Sequence, residues 1–226
     1  MTDRWSNEAV IDLTQESLRA ANTRLQSQNG TSEGAQFRVL NPGGAHALAC
    51  GLDSPVRVEI DGHAGYFCAG MNKRAIVEIN GNAGQGVAEN MMSGTVRVRG
   101  DASQSAGANG NAAARCGISL KGADIVVKGN VGHMSMFMAQ AGRLVVLGDA
   151  GDALGDSIYE ARMYVRGSVE GLGADCAEKP LDAEHRRELE ELLGIAGCEG
   201  VDSTGFKRYG SSRQLYNFKV ENVGQY

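Results

Sequence analysis

Between residues 56 and 171 the apolar residues fall at alternate positions in short runs, and each run closes on a glycine. The closing glycines are Gly62, Gly81, Gly100, Gly129, Gly148 and Gly167, spaced 19, 19, 29, 19 and 19 residues apart. Four and two residues before them stand Val58/Ile60, Val77/Ile79, Val96/Val98, Ile125/Val127, Leu144/Val146 and Met163/Val165. Two residues after them stand Ala64, Ala83, Ala102, Val131, Ala150 and Val169. A period of two is the strand signal, because successive side chains of an extended chain point to opposite faces. The frame therefore predicts short strands whose aliphatic side chains share one face, each followed by a bend that glycine permits.

The residue after each closing glycine is His63, Asn82, Asp101, Asn130, Asp149 or Ser168, and a second glycine completes a GxxG corner at Gly65, Gly84, Gly132 and Gly151. Asn and Asp tolerate bends and bond to nearby backbone, so stacked copies predict a polar ladder along one corner. A repeat of 19 residues made of short strands and tight corners predicts a parallel β-helix, each coil burying its apolar face on the next. Leucine-rich, propeller and calcium-nonapeptide patterns are absent, and 19 is not a multiple of the six that a left-handed hexapeptide helix needs. The expected fold class is all-β: a parallel β-helix with coils of about 19 residues, flanked by an N-terminal and a C-terminal helix that cap its ends.

Residues 12–27 predict the first helix, opened by Asp12 with Gln15 in a capping box; residues 182–193 predict the second, with Asp182 as N-cap and Gly194 as its stop. The chain divides into a lead-in segment (1–53), the β-helix (54–175) and a C-terminal helix with a basic, aromatic docking tail (176–226). The interval of 29 breaks the frame. Counting 19 back from Gly129 lands on Gly110, followed by Asn111 and Ala112, with no β-branched strand before it. Two coils would need about nine residues more, so the expectation is a strand missing near Asn109 and Gly110, or a deletion bulged out at that coil.

The outward positions of the early runs are charged or polar (Glu59/Asp61, Glu78/Asn80, Arg97/Arg99), as a wetted face should be. Later runs carry Val126/Lys128, Val145/Leu147 and Tyr164/Arg166. An apolar outer stripe needs a cover. Either the chain's own C-terminal helix or another protein supplies it, which makes Val126, Val145, Leu147 and Tyr164 candidate interface residues, with Phe206, Lys207, Arg208 and Tyr209 of the tail.

Composition sharpens this picture. Glycine supplies 32 of 226 residues and aromatics only 5%, so the core is built from small and β-branched side chains. A net charge of −5 argues against an electrostatic grip on nucleic acid or an anionic membrane. No apolar run approaches the ~18 residues of a membrane span, and a cytoplasmic protein is expected. Cys50, Cys68, Cys116, Cys176 and Cys198 are scattered without a CxxC pair and read as free thiols. The four histidines lack ligand spacing, so no metal site is expected. Asp149, Asp152, Asp156 and Glu160 cluster in one coil and are either solvated corner residues or an acidic site for sugar chemistry. Met91, Met92, Met134, Met136 and Met138 fill core or form an interface.

The repeated GxxG corners from Val56 to Gly171 resemble the GXGXG domain that closes the large subunit of glutamate synthase, and are similar to the C subunit of formylmethanofuran dehydrogenase. The stretches at 65–94, 115–135 and 206–222 look closer to its stand-alone form, the B subunit of N-methylglutamate synthase. The resemblance implies a right-handed β-helix with no catalytic residue, cofactor or metal of its own. It implies a structural subunit of a heteromeric enzyme making N-methylglutamate and ammonia from methylamine and glutamate. The chemistry would belong to an FMN-binding synthase-like subunit with an iron–sulfur cluster and to a glutamine-amidotransferase-like subunit, in a complex that oligomerises further. The family's usual strand before Gly110 is absent here. A formylmethanofuran-dehydrogenase-like subunit and a self-sufficient β-helix carbohydrate enzyme remain the alternatives.

Overall fold

The computed structural model describes residues 9–30, 34–100 and 114–213. Eight parallel strands stack in chain order: β1 (Ala9–Asp12), β2 (Gln36–Leu40), β3 (Arg57–Asp61), β4 (Ile76–Ile79), β5 (Thr95–Val98), β6 (Lys121–Val127), β7 (Ala141–Val146) and β8 (Arg162–Val165). Two more, β9 (Cys176–Lys179) and β10 (Lys207–Ser211), close the sheet, with β10 antiparallel to both β8 and β9. Two helices, α1 (Leu18–Gln26) and α2 (Ala183–Ile195), complete a mostly β solenoid with a repeat of about 19 residues. The sheet starts at Ala9 rather than near residue 54, so the lead-in segment contributes two rungs.

The period-two reading holds side chain by side chain. Val58, Ile60, Val77, Ile79, Val96, Val98, Ile125, Val127, Leu144, Val146, Met163 and Val165 are all fully buried in one continuous core. Burying an aliphatic side chain stabilises by roughly 1.5–3 kcal/mol, and here each coil supplies two to the interior its neighbours share.

The interval of 29 is a correction to the expected missing strand. β5 pairs directly with β6, in register from Thr95↔Asp124 to Val98↔Val127, and Gly129 N donates to Gly100 O at 3.1 Å. The ladder is unbroken, so this is one coil carrying extra residues, not two coils lacking a strand. The arch before the strand keeps the same offset, with Gly86 N donating to Ala114 O at 3.2 Å. The additional residues therefore fall between Gly100 and Ala114. Gly110 lies outside the described residues and is not needed as an anchor, since Gly129 stacks on Gly100.

The helices differ from expectation at two boundaries. Asp12 does not open α1: it ends β1, its carboxylate accepting from Thr14 N (2.9 Å), Thr14 Oγ1 (2.8 Å) and Asn41 Nδ2 (2.9 Å). With that oxygen occupied by a local turn, the helix starts later, at Ser17, whose hydroxyl accepts from Ala20 N. Helix α2 does open on Asp182, which accepts from Glu184 N and His185 N. Gly194 is inside α2; the helix ends at Ile195 with Ala196 as its C-cap, and Gly197 takes the left-handed conformation with φ +66°.

Each coil also turns through an arch that the strand pattern did not reveal. Every second residue takes a positive φ at Phe67/Ala69/Met71, Gly86/Ala88/Asn90, Arg115/Gly117/Ser119, Met134/Met136/Met138 and Ala153/Gly155/Ser157. A left-handed non-glycine residue costs about 1–2 kcal/mol. Bonds between coils offset the strain: Met136 N donates back to Cys116 O (2.7 Å), while Met134 N and Met138 N donate forward to Asp152 O and Asp156 O (2.9 Å each). The first arch has no earlier coil, and α1 takes its place. Asn22 bonds Ala47 O and Ala49 N, Gln26 bonds Cys50 O, and Asn29 bonds Gly51 O. These side chains supply the partners that backbone groups at a solenoid end otherwise lack.

Candidate functional site

At the GxxG corner the polar ladder forms as the sequence implied. His63 Nδ1 accepts from Asn82 N (2.9 Å), Asn130 Oδ1 from Asp149 N (2.7 Å), and Asp149 Oδ1 from Ser168 N (2.7 Å) and Ser168 Oγ (2.9 Å). Each side chain thus reaches up to the next coil's backbone, into the place where a Cβ on that coil's closing glycine would sit. A Cβ at Gly100 would lie 2.1 Å from Asn82 Oδ1, one at Gly148 2.3 Å from Asn130 Oδ1, and one at Gly167 2.4 Å from Asp149 Oδ1. The second glycine serves close stacking of backbone: a Cβ at Gly84 would meet Gly65 C at 2.5 Å, and one at Gly151 would meet Gly132 C at 2.9 Å.

A polar groove of about 410 Å³ runs along this corner, lined by His133, Asp149, Asp152, Ser168 and Glu170 among others. Asp149 is held ionised below the usual carboxylate range by the Ser168 N–H, then by the Ser168 hydroxyl. Asp156 accepts from Ala174 N (3.2 Å) and from the Ser157 hydroxyl (2.8 Å). A Cβ at Gly171 would lie 2.1 Å from Asp152 Oδ1, and Glu160 stands exposed. The four carboxylates thus occupy stacked corner and loop positions, and Asp149 and Asp156 are engaged with backbone. No nucleophile–base pair forms among them. Among the described residues no group of three or more His, Cys, Asp or Glu side chains is placed to hold a metal. The five cysteines are free, and burial pushes the Cys50 and Cys176 thiols up to about 11.

On the outer face the charge pattern changes rung by rung. Glu78 gathers Arg99 (2.8 Å), Arg57 (3.6 Å) and Arg97 (3.7 Å); Asn80 Nδ2 donates to Glu59 (2.6 Å) and Asp61 (2.8 Å). From β6 onward the same columns become apolar and α2 covers them. Val126, Val145 and Tyr164 are buried against Leu189, Leu192, Leu193, Cys198 and Phe206, with Leu147 packed at the edge. Glu188 of α2 fastens the cover, pairing with Arg143 and Arg162 at 3.2 Å each and accepting the Tyr164 hydroxyl. Burial and then this bond raise the Tyr164 phenol.

This decides the cover: the candidate interface residues Val126, Val145, Leu147, Tyr164 and Phe206 face the chain's own helix. The described part of the tail is also internal. Lys207, Arg208 and Tyr209 lie in β10, with Lys207 paired to Glu178 (3.0 Å), Arg208 Nε bonded to Pro180 O (2.8 Å) and Tyr209 buried. Residues 214–226 of the expected docking tail lie outside the described residues. Of the methionines, Met91 and Met136 are core, whereas Met92 and Met138 stand exposed on the arches. Sequence reasoning missed those arches, although small residues at most of their central positions (Ala49, Ala69, Ala88, Gly117 and Gly155, with Met136 the exception) were a signal for them. Among the described residues no helix is long and apolar enough to cross a membrane.

No protein-family profile matches the chain. Protein GlxC of Rhizobium meliloti (strain 1021) is 55% identical to it over 226 residues, a match spanning 96% of this chain and 99% of that one. Identity at that level over nearly the whole of both chains means that this protein belongs to the same family as GlxC.

Proposed function

We propose that this chain is a structural, non-catalytic subunit of a heteromeric, FMN-dependent, glutamate-synthase-like enzyme, and that the enzyme is an N-methylglutamate synthase. The observation that carries the reading is the engagement of its polar corner. His63, Asn130, Asp149 and Asp156 each hold backbone of the next coil, and no acid, base and nucleophile converge among the described residues. The resemblance of residues 65–94, 115–135 and 206–222 to the stand-alone GXGXG subunit supports the same role. Methylamine and glutamate would give N-methylglutamate and ammonia on partner subunits in the cytoplasm. One partner would carry FMN and an iron–sulfur cluster, and the other would resemble a glutamine amidotransferase. A rigid solenoid suits that task, because transfer between two sites depends on holding their geometry to within about an ångström.

Co-expression with the products of neighbouring genes tests it. The expected result is a stable complex containing FMN, in which omission of this chain abolishes amine transfer while each partner keeps its own half-reaction. A chain that stays monomeric beside those products, or that turns over a sugar substrate alone, would overturn the reading.

A further inference from the structure

The arch edge of the solenoid carries exposed apolar side chains between two oppositely charged halves. Backbone bonds of 2.9 Å from Asn90 N to Ile118 O, Ser119 N to Phe137 O and Met138 N to Asp156 O stack Asn90, Ser119, Met138 and Ser157 in one column. Met92, Lys121 and Tyr159 each lie two residues beyond their coil's member of it. Met92, Met138 and Tyr159 are 42%, 41% and 40% exposed. Arg115 N donates to His133 O and Met134 N to Asp152 O, at 2.9 Å each, so Arg115, Met134 and Ala153 form a second column. The coil of Met138 therefore stands midway between one that exposes Arg115 and Lys121 and one that exposes Asp152 and Glu160.

Formal charge follows the same division. From residue 132 to residue 141 there is no Asp, Glu, Lys or Arg. The preceding arches, 65–74, 84–93 and 114–121, carry Lys73, Arg74, Arg115 and Lys121 against Glu89 alone. The following arches, 151–160 and 170–175, carry Asp152, Asp156, Glu160, Glu170 and Asp175 and no cation. Asp53 engages Lys73 and Arg74, and Arg213 engages Asp175, so the contrast is sharpest at the two coils beside Met138.

We propose that two copies of this chain meet through the arch edge with their solenoid axes antiparallel, about a two-fold axis that crosses the coil of Met138. An apolar strip between a basic and an acidic half is complementary to itself turned end over end. A two-fold lying in the contact plane at right angles to the solenoid keeps each column on itself and exchanges the coils on either side of Met138. Arg115 then faces Asp152 of the second copy and Lys121 faces its Glu160, each pair occurring twice, with the Met138 thioethers together at the centre. Side-by-side parallel packing would set each coil against itself and bring the acidic halves together. Exposed apolar surface marks such a contact, and flexible thioethers suit its packing.

Sedimentation equilibrium of the isolated full chain tests this without reference to any other subunit. The chain is expected to dimerise with rising concentration, and less tightly as salt screens the charged halves. Lys121→Glu and Glu160→Lys should each raise the dissociation constant at least about tenfold, because each reversal sets two like-charged pairs face to face. The double variant, which reverses both ends, should return to within about threefold of the unaltered chain, a recovery that damage to the fold would not produce. Met138→Asp sets a carboxylate against its own copy at the centre, on a residue whose φ of +53° aspartate tolerates, and should abolish the dimer. A chain that is monomeric at every concentration would overturn the proposal. So would a dimer indifferent to these substitutions, or one that the double variant fails to restore.

Discussion

The closing glycines Gly100, Gly148 and Gly167 are fixed by a neighbour's side chain, whereas Gly62 is also required by its own φ of +138°. Asp149 Oδ1 holds Ser168 N–H at 2.7 Å and so stands where a Cβ on Gly167 would be, 2.4 Å away, with Gly148 O at the same distance. Gly167→Ala is therefore expected to destabilise by about 2–4 kcal/mol, and Asp149→Gly beside it to restore only part of that, because the carbonyl clash remains. Gly194 is the contrast: it lies inside α2 and a Cβ there meets nothing within 4 Å. Gly194→Ala should stabilise by about 0.5–1 kcal/mol, through the helix preference for alanine. Urea unfolding of the two variants reads both signs. Reading Gly194 as a helix stop failed because glycine ends a helix only where φ must turn positive, which happens at Gly197.

At the scale of elements, the strands were legible because their two faces carry different chemistry, and the arches were not because left-handed alternation has no hydrophobic period. The cover over β6–β8 was half legible. An apolar outward stripe announced that something lies on it, and only the packing of Leu189, Leu192 and Leu193 shows that α2 does. The missing-strand expectation failed for a related reason: a count of residues between glycines does not distinguish an added loop from a lost strand, whereas the β5–β6 register does. Across β3–β5 the outward face is held by charge instead. Burial raises the Glu78 carboxyl, but the Arg99 hydrogen bond and the Arg99, Arg97 and Arg57 charges outweigh it, and the net shift is downward from 4.5. A lowered carboxylate stabilises fully above its unfolded pKa and loses that contribution as pH falls through the folded value. Denaturant unfolding between about pH 6 and pH 3 should show this loss, and Glu78→Gln should be less stable at pH 6 and lose less on acidification.

For the whole molecule, parallel coils in unbroken register mean that stability is a sum of rungs and rung interfaces. Residues 63–81 form one coil between equivalent glycines, and their removal joins Gly62 to Asn82. It brings β3 against β5 with Glu59 beside Arg97 and Asp61 beside Arg99, opposite charges in both pairs. The shortened chain is expected to fold cooperatively with unchanged strand content per coil, and to be shorter by about 4.8 Å, one rung, in solution scattering. A molten or aggregated product would show that the coils are not interchangeable. The losses it must absorb include buried Asn72, which holds Leu52 N and Ala49 O.

The extra residues between Gly100 and Ala114 separate two quantities that are otherwise locked together here, contour length and height. Within a strand, a one-residue change of register would turn the inward aliphatics outward, and the one-residue irregularity at Lys121–Asp124 is absorbed before the buried run begins. Between Gly100 and Ala114 the chain gains length while the next glycine still lands on the last. Lengthening a connecting segment costs only about 0.6 kcal/mol per doubling. The β5–β6 register thus tolerates a change in contour length at this point while the stack keeps its height.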